Sequence, residues 1–140
     1  MYPFRKLSVW EKAHSLTLRV YELTDGPLSR RFPALTSQLR RAIAAVPANL
    51  AEGAGRSTDP QFNRYIETAL ASAYEADYHL LLARDLGALA SRDYAFLEAQ
   101  LAEVKQMMIG LRKRVLERIA QNGKRGGRKA SPLLPTTYHP

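Results

Sequence analysis

The chain has 140 residues, 46% of them hydrophobic, and it carries a formal net charge of +8 and no cysteine. This length fits one domain with a modest core, and the lack of cysteine excludes disulfides and thiolate metal sites. No apolar run has the length of a signal peptide or of a membrane span, so the sequence predicts a soluble, cytoplasmic protein.

Apolar residues recur at helical spacing in four segments, each ended by glycine, proline or a loss of period. The segments are residues 9–23, 33–51, 59–86 and 91–119. No comparable stretch alternates with a period of two, so no strand is expected. Four amphipathic helices joined by short loops predict an all-α, antiparallel up-down four-helix bundle over residues 1–119. Residues 120–140, rich in glycine and proline, are predicted to form a flexible basic tail.

The third segment has two apolar stripes. The second one, turned by roughly 100 degrees from the first, consists of Leu70, Tyr74, Tyr78 and Leu81. A helix that is apolar on two sides needs two partners, and tyrosines are enriched at subunit interfaces. The stripe therefore predicts self-association, with coverage by a neighbouring helix of the same bundle as the alternative.

A proline interrupts the second segment. Pro47 lacks the N–H that would bond the carbonyl of Ile43, so a bend is predicted there. Gly53 and Gly55 are then expected to take left-handed conformations that end the helix. "EGAGRS" lacks the Gly-Lys-Ser/Thr ending of a nucleotide-binding loop and follows no strand. The stretch is therefore interpreted as a kinked helix end that fixes the connection between the second and third helices. The alternative is an exposed functional edge formed by Glu52 and Arg56.

Three stretches carry a family resemblance: "FRKLSVWEKA", "QLRRAIAAVPANLAEGAGR" and "ALASAYEADYHLLLARDLG". In this order they resemble the four-helix-bundle proteins found in intervening sequences of bacterial large-subunit ribosomal RNA genes, over roughly Phe4 to Leu111. Ala45 and Val46 stand where that family usually has serine and isoleucine. The resemblance implies a homopentamer with a basic surface. The family is also similar to accessory bundle proteins of diversity-generating retroelements, so nucleic acid and a reverse transcriptase are implied partners.

The residues offer little for catalysis. Ferritin-like metal sites need Glu-x-x-His pairs that project inward, whereas Glu11 and His14 lie off the core stripe and Glu75 and His79 are spaced by four on another flank. No serine sits on a strand-turn-helix elbow. We therefore expect a protein that is not an enzyme and has no metal or other cofactor.

Charge remains as the functional signal. Residues 112–140 hold eight basic residues and one acid, whereas the rest of the chain is nearly balanced. Lysine and arginine bind phosphates with salt-dependent, largely sequence-independent affinity, which predicts nucleic-acid binding; RNA is favoured by the resemblance alone. The alternative is a protein–protein scaffold with a merely solubilising tail. Four of the predicted binding residues, Arg40, Arg41, Arg56 and Arg64, are expected to cluster around the connection between the second and third segments. The others are Arg112, Lys113, Arg114, Arg118, Lys124, Arg125, Arg128 and Lys129.

Overall fold

The structure, a computed structural model, describes residues 2–125, and every regular element in that range is helical. The chain opens with a single 3-10 turn and continues through one short and four long α-helices. The elements are the 3-10 turn Phe4–Lys6, α1 (Ser8–Thr24), α2 (Pro27–Arg31), α3 (Pro33–Ala54), α4 (Asp59–Asp85) and α5 (Ser91–Lys124). The prediction of an all-α fold with four long helices is confirmed. None of the five α-helices is both long and apolar enough to span a membrane.

The four long helices share one core. α1 packs against α3 and α5, and α4 packs against the same two helices. The stripes predicted from helical spacing are the buried faces, because alternating steps of three and four keep side chains on one side of a helix. The buried stripe of α4 is Phe62, Ile66, Ala69, Ala73, Ala76, Leu80 and Ala83, and that of α5 is Leu97, Leu101, Val104, Met108, Leu111 and Val115.

The short helix α2 was not predicted. Pro27 occupies its first turn, where a missing N–H costs nothing. The Ser29 hydroxyl accepts a hydrogen bond from the Gly26 N–H at 3.1 Å and lies 3.0 Å from the Gly26 carbonyl. The Asp-Gly-Pro sequence therefore not only ends α1 but also begins the short helix α2.

Helix α3 continues through Pro47 and ends at Ala54, beyond the predicted end at residue 51. The Ile43 carbonyl, which Pro47 cannot bond, has the hydroxyl of Thr17 on α1 at 3.4 Å. That hydroxyl also lies 2.8 Å from the carbonyl of Ala13, so one proton is shared between two acceptors. A neighbouring helix thus partly satisfies the group that the proline leaves open.

The expectation for the two glycines after Pro47 was wrong. Gly53 lies inside α3, and Gly55 caps it in a right-handed conformation with φ of −82°. A Cβ at Gly53 would lie 2.7 Å from the Cβ of Tyr65 and 2.9 Å from Cδ1 of Phe62. Glycine is needed here because α3 and α4 approach closely. Gly87, by contrast, has φ of 73° and ends α4 as predicted.

Helix α5 runs to Lys124, so the predicted start of the tail at residue 120 was too early. Ile119, the last residue of the predicted bundle, is partly buried against the core, and the helix continues beyond it to Lys124. Residues 126–140, the remainder of the predicted tail, lie outside the described range.

Candidate nucleic-acid interface

Three chain segments meet at the end of the bundle where α3 connects to α4. The Tyr2 N–H donates to the Ala54 carbonyl at 2.7 Å, which places the N-terminal turn beside the end of α3. Arg118 Nε donates to Asp59 Oδ2 at 3.1 Å, which places the last turns of α5 beside the start of α4. We call the accessible basic residues of these segments the basic end: Arg5, Lys6, Arg56, Arg64, Lys124 and Arg125.

The basic end is only weakly opposed by acidic groups. Residues 4–6, 52–64 and 117–125 contain three acids, of which Asp59 is buried and already paired. Glu52 and Glu117 are exposed. The surface therefore presents an excess of positive charge, which concentrates anions near it. Arg5 and Lys6 were not predicted as binding residues, because no sequence signal places the N-terminus beside the end of α3.

Burial also marks the N-terminal turn. Tyr2 is 2% exposed, and its hydroxyl lies 3.4 Å from the Lys6 carbonyl. Burial raises the pKa of the Tyr2 phenol above its ordinary value, because the charged form loses hydration. The turn that carries Arg5 and Lys6 is thus anchored by a buried side chain.

A small pocket of about 160 Å³ lies within the basic end and is lined by Arg56, Gln61, Arg64 and Tyr65. Arg56 Nη2 donates to the Tyr65 hydroxyl at 2.8 Å, and its guanidinium carbon lies 5.0 Å from the centre of that ring. Arg56 is therefore held against Tyr65 rather than free in solvent, and the functional edge with Glu52 stays a prediction. Two guanidinium groups beside the first turn of α4 suit an anion, because they and the helix N-terminus favour negative charge.

Arg40 and Arg41 do not belong to this cluster, contrary to the sequence interpretation. Arg40 Nε donates to the Thr24 hydroxyl at 3.1 Å and Nη2 donates to the Tyr21 carbonyl at 3.2 Å. Arg40 therefore lies beside the end of α1. At 1.5 Å per residue, Arg40 and Arg41 are about 20 Å along α3 from Ala54. Nearness in sequence to the α3–α4 connection was misleading because a helix is long in space.

Two of the predicted binding arginines are ion-paired with α4. Arg118 and Asp59 have side chains that are 14% and 2% exposed, so their pair is a buried structural contact. Arg112 donates to Glu67 through Nε at 3.1 Å and Nη2 at 2.9 Å in a more exposed pair. Both guanidinium groups are partly neutralised, which makes them poorer phosphate ligands than the sequence indicated.

The other predicted residues on α5 differ in exposure. Lys113, Lys124 and Arg125 are exposed, and Arg114 is half-buried with a partner of its own. Arg128 and Lys129 lie outside the described residues.

In the second α4 stripe the two tyrosines are exposed and the two leucines are half-buried. Leu70 is half-buried and packs against the core of this chain. Tyr74 and Tyr78 are 55% and 59% exposed, and Leu81 is half-buried beside them in a shallow pocket of about 360 Å³. Lys105 Nζ lies 4.7 Å from the centre of the Tyr74 ring. Within the described chain, the neighbouring helix therefore covers only part of the stripe.

The two histidines within the described range, His14 and His79, show no shared site. His14 is exposed and stacks on Trp10, with ring centres 5.1 Å apart. His79 Nε2 lies 3.5 Å from Glu75 Oε2. Between residues 2 and 125, no three histidine, aspartate or glutamate side chains are grouped so that they could hold a metal ion.

These features define a class: an all-helical bundle with a basic end and, among residues 2–125, no group of side chains that could hold a metal ion. The chain belongs to the 23S rRNA-intervening sequence protein family, whose sequence pattern matches residues 5–110. This confirms the resemblance noted above, whereas the relation to retroelement accessory proteins stays a prediction. No curated protein matches the sequence.

A solved crystal structure has a similar fold. The chain is similar to a protein of unknown function from the S23 ribosomal protein family of Bacteroides thetaiotaomicron, known from a crystal structure. The TM-score is 0.70 at 20% identity, over 75% of this chain and 98% of that chain. At this identity the likeness concerns the fold alone.

Proposed function

We propose that this chain is a non-enzymatic, cytoplasmic protein that binds nucleic acid, with RNA favoured, through its basic end. The observation that carries the proposal is the meeting of the N-terminal turn, the α3–α4 connection and the end of α5. This meeting gathers six basic residues from distant parts of the sequence. Such a surface supplies the phosphate contacts that dominate nucleic-acid affinity. The family's association with ribosomal RNA intervening sequences supports RNA as the first ligand to test.

Gln61 offers a sharp test because it lines the pocket between Arg56 and Arg64. Gln61→Glu adds one negative charge with almost no change in shape. Gln61 N donates to the N-cap hydroxyl of Thr58, and glutamate suits this third helical position as well as glutamine does, so the fold should be kept. Gln106→Glu makes the same change at an exposed site in the middle of α5 and serves as the matched control.

The assay is binding of the full chain to mixed-sequence RNA and DNA at about 50 and 200 mM salt. We expect steep salt dependence, weaker binding by Gln61→Glu, and little effect of Gln106→Glu. Arg64→Ala should lower the slope of log affinity against log salt by about 0.9 on duplex DNA and by about 0.7 on a single strand, the values for one lost phosphate contact. Absence of binding at low salt, or equal effects of the two glutamates, would contradict the proposal.

Arg128 and Lys129 are tested separately in the full chain. The double variant Arg128→Ala, Lys129→Ala removes two charges that lie outside the described residues. A lower salt slope would place them among the phosphate contacts of the protein. An unchanged slope would confine binding to the basic end.

Self-association is a second proposal, supported by the exposure of Tyr74 and Tyr78. We expect the chain to form a homo-oligomer through this face, with five copies implied by the family resemblance. Tyr78→Glu should reduce the mass in solution without loss of helicity. Leu18→Glu, which changes a similarly exposed apolar residue on α1, is the control and should leave the mass unchanged. An oligomer that does not bind nucleic acid would favour the protein–protein scaffold instead.

We also propose that the bundle is connected up and down, with neighbouring helices antiparallel. The order of contacts supports this. Asp59 meets Arg118 and Asp77 meets Lys105, at 3.1 and 2.7 Å, so partners run in opposite order along α4 and α5. Short connections between antiparallel neighbours are the usual arrangement in such bundles.

A further inference from the structure

A second basic pocket lies at the opposite end of the bundle from the basic end. It has a volume of about 480 Å³ and is lined by residues from the end of α1, from α2 and from the beginning of α3. Its lining contains two arginines and several hydroxyl groups but no carboxylate. The lining residues are Tyr21, Ser29, Pro33, Thr36, Ser37, Arg40 and Arg41.

Arg40 is fixed within this pocket before any ligand arrives. Its guanidinium carbon lies 4.8 Å from the centre of the Tyr21 ring, and Nε and Nη2 donate to Thr24 and to the Tyr21 backbone. Thr24 is fully buried, and its hydroxyl lies 2.6 Å from the Val20 carbonyl. The hydroxyl that accepts from Arg40 is therefore also held in place. A guanidinium has five N–H donors. These two hydrogen bonds leave three of them available.

We propose that this pocket binds a phosphate group. A phosphate offers several acceptor oxygens. These match the remaining donors of Arg40, the guanidinium of Arg41 and the hydroxyl of Ser37. An arginine already held by stacking and hydrogen bonds loses less conformational entropy on binding. The pocket is about 20 Å along α3 from the basic end, so this site does not depend on the proposed function of that end.

The phosphate could be free in solution or part of a nucleic-acid backbone, and one pair of variants covers both sources. Ser37 is exposed near the start of α3. Ser37→Asp places a carboxylate in the pocket, whereas Ser37→Asn is nearly the same size and neutral. Both substitutions change an exposed side chain outside the core, so both variants should stay folded.

The measurement is the change in backbone amide NMR shifts of residues 33–41 in the full chain, titrated with inorganic phosphate and with a short single-stranded oligonucleotide. Ser37→Asp should bind about tenfold or more weakly than Ser37→Asn, because like charges this close repel strongly near a protein surface. A difference with inorganic phosphate identifies a free phosphate site. A difference only with the oligonucleotide identifies a backbone phosphate. Equal responses of the two variants, or no shifts with either probe, would overturn the proposal.

Discussion

The ion pair between Arg118 and Asp59 gives the clearest prediction about stability. Arg118→Met keeps most of the side-chain volume but removes the charge beside a carboxylate that is 2% exposed. Removing one partner of a buried pair typically costs about 3–5 kcal/mol. Asp59 lies in the first turn of α4, where the helix N-terminus stabilises negative charge. We therefore expect the lower end, about 3 kcal/mol of unfolding free energy.

A more exposed ion pair about two turns earlier on α5 is a control for the Arg118 variant. Arg112 and Glu67 join the same two helices, but their side chains are 41% and 48% exposed. Arg112→Met should cost only about 0.2–1 kcal/mol, because solvent screens the pair and can hydrate the glutamate left behind.

Urea unfolding at one fixed protein concentration measures both variants, since association makes apparent stability concentration-dependent. The double variant Arg118→Met, Asp59→Asn should lose less than the two single losses added together, which isolates the coupling. If Arg118→Met cost no more than Arg112→Met, the view of Arg118 as a structural residue would be refuted. Arg118 would then return to the set of nucleic-acid contacts.

Three further predictions concern packing, the proline and pH. Gly53→Ala should lower the unfolding free energy by about 1–3 kcal/mol, because its methyl group would meet Tyr65 at 2.7 Å. Gly110→Ala, with open space around it, should raise that free energy by about 0.5–1 kcal/mol. Thr17→Val, which removes a buried hydroxyl shared by two carbonyls, should cost about 1 kcal/mol in the same assay. The raised pKa of Tyr2 means that the unfolded chain ionises first, so stability should fall above about pH 10 and fall less in Tyr2→Phe; a parallel decline in both proteins would contradict this.

The helices were predictable because their signal is periodic and local. The predicted stripe of α5 runs from Tyr94 to Val115 in unbroken steps of three and four. Tyr94 is partly buried, and the six members from Leu97 onward are buried. The role of Gly53 was not predictable in the same way. A helix end and a close helix contact both favour glycine, and only the position of Tyr65 distinguishes them.

The charged residues show the same limit more strongly. A count of arginines cannot tell Arg118, which is buried against Asp59, from Lys124, which is exposed. The partners of these side chains lie far away in sequence and become known only when the helices pack. Conversely, Arg5 and Lys6 joined the candidate site through a single backbone hydrogen bond at the N-terminus.

The basic end and the exposed face of Tyr74 and Tyr78 lie apart on the molecule, and this separation has a consequence for binding. Tyr74 and Tyr78 are about 22–29 Å along α4 from Asp59, at 1.5 Å per residue. Association through the tyrosine face would therefore leave the basic end of each copy uncovered. Several basic ends held together act on one nucleic acid with a raised effective concentration. Tyr78→Glu should accordingly weaken binding to a long RNA while leaving the affinity for a fragment that reaches one basic end unchanged. Equal losses for both lengths would show that the tyrosine itself touches the nucleic acid.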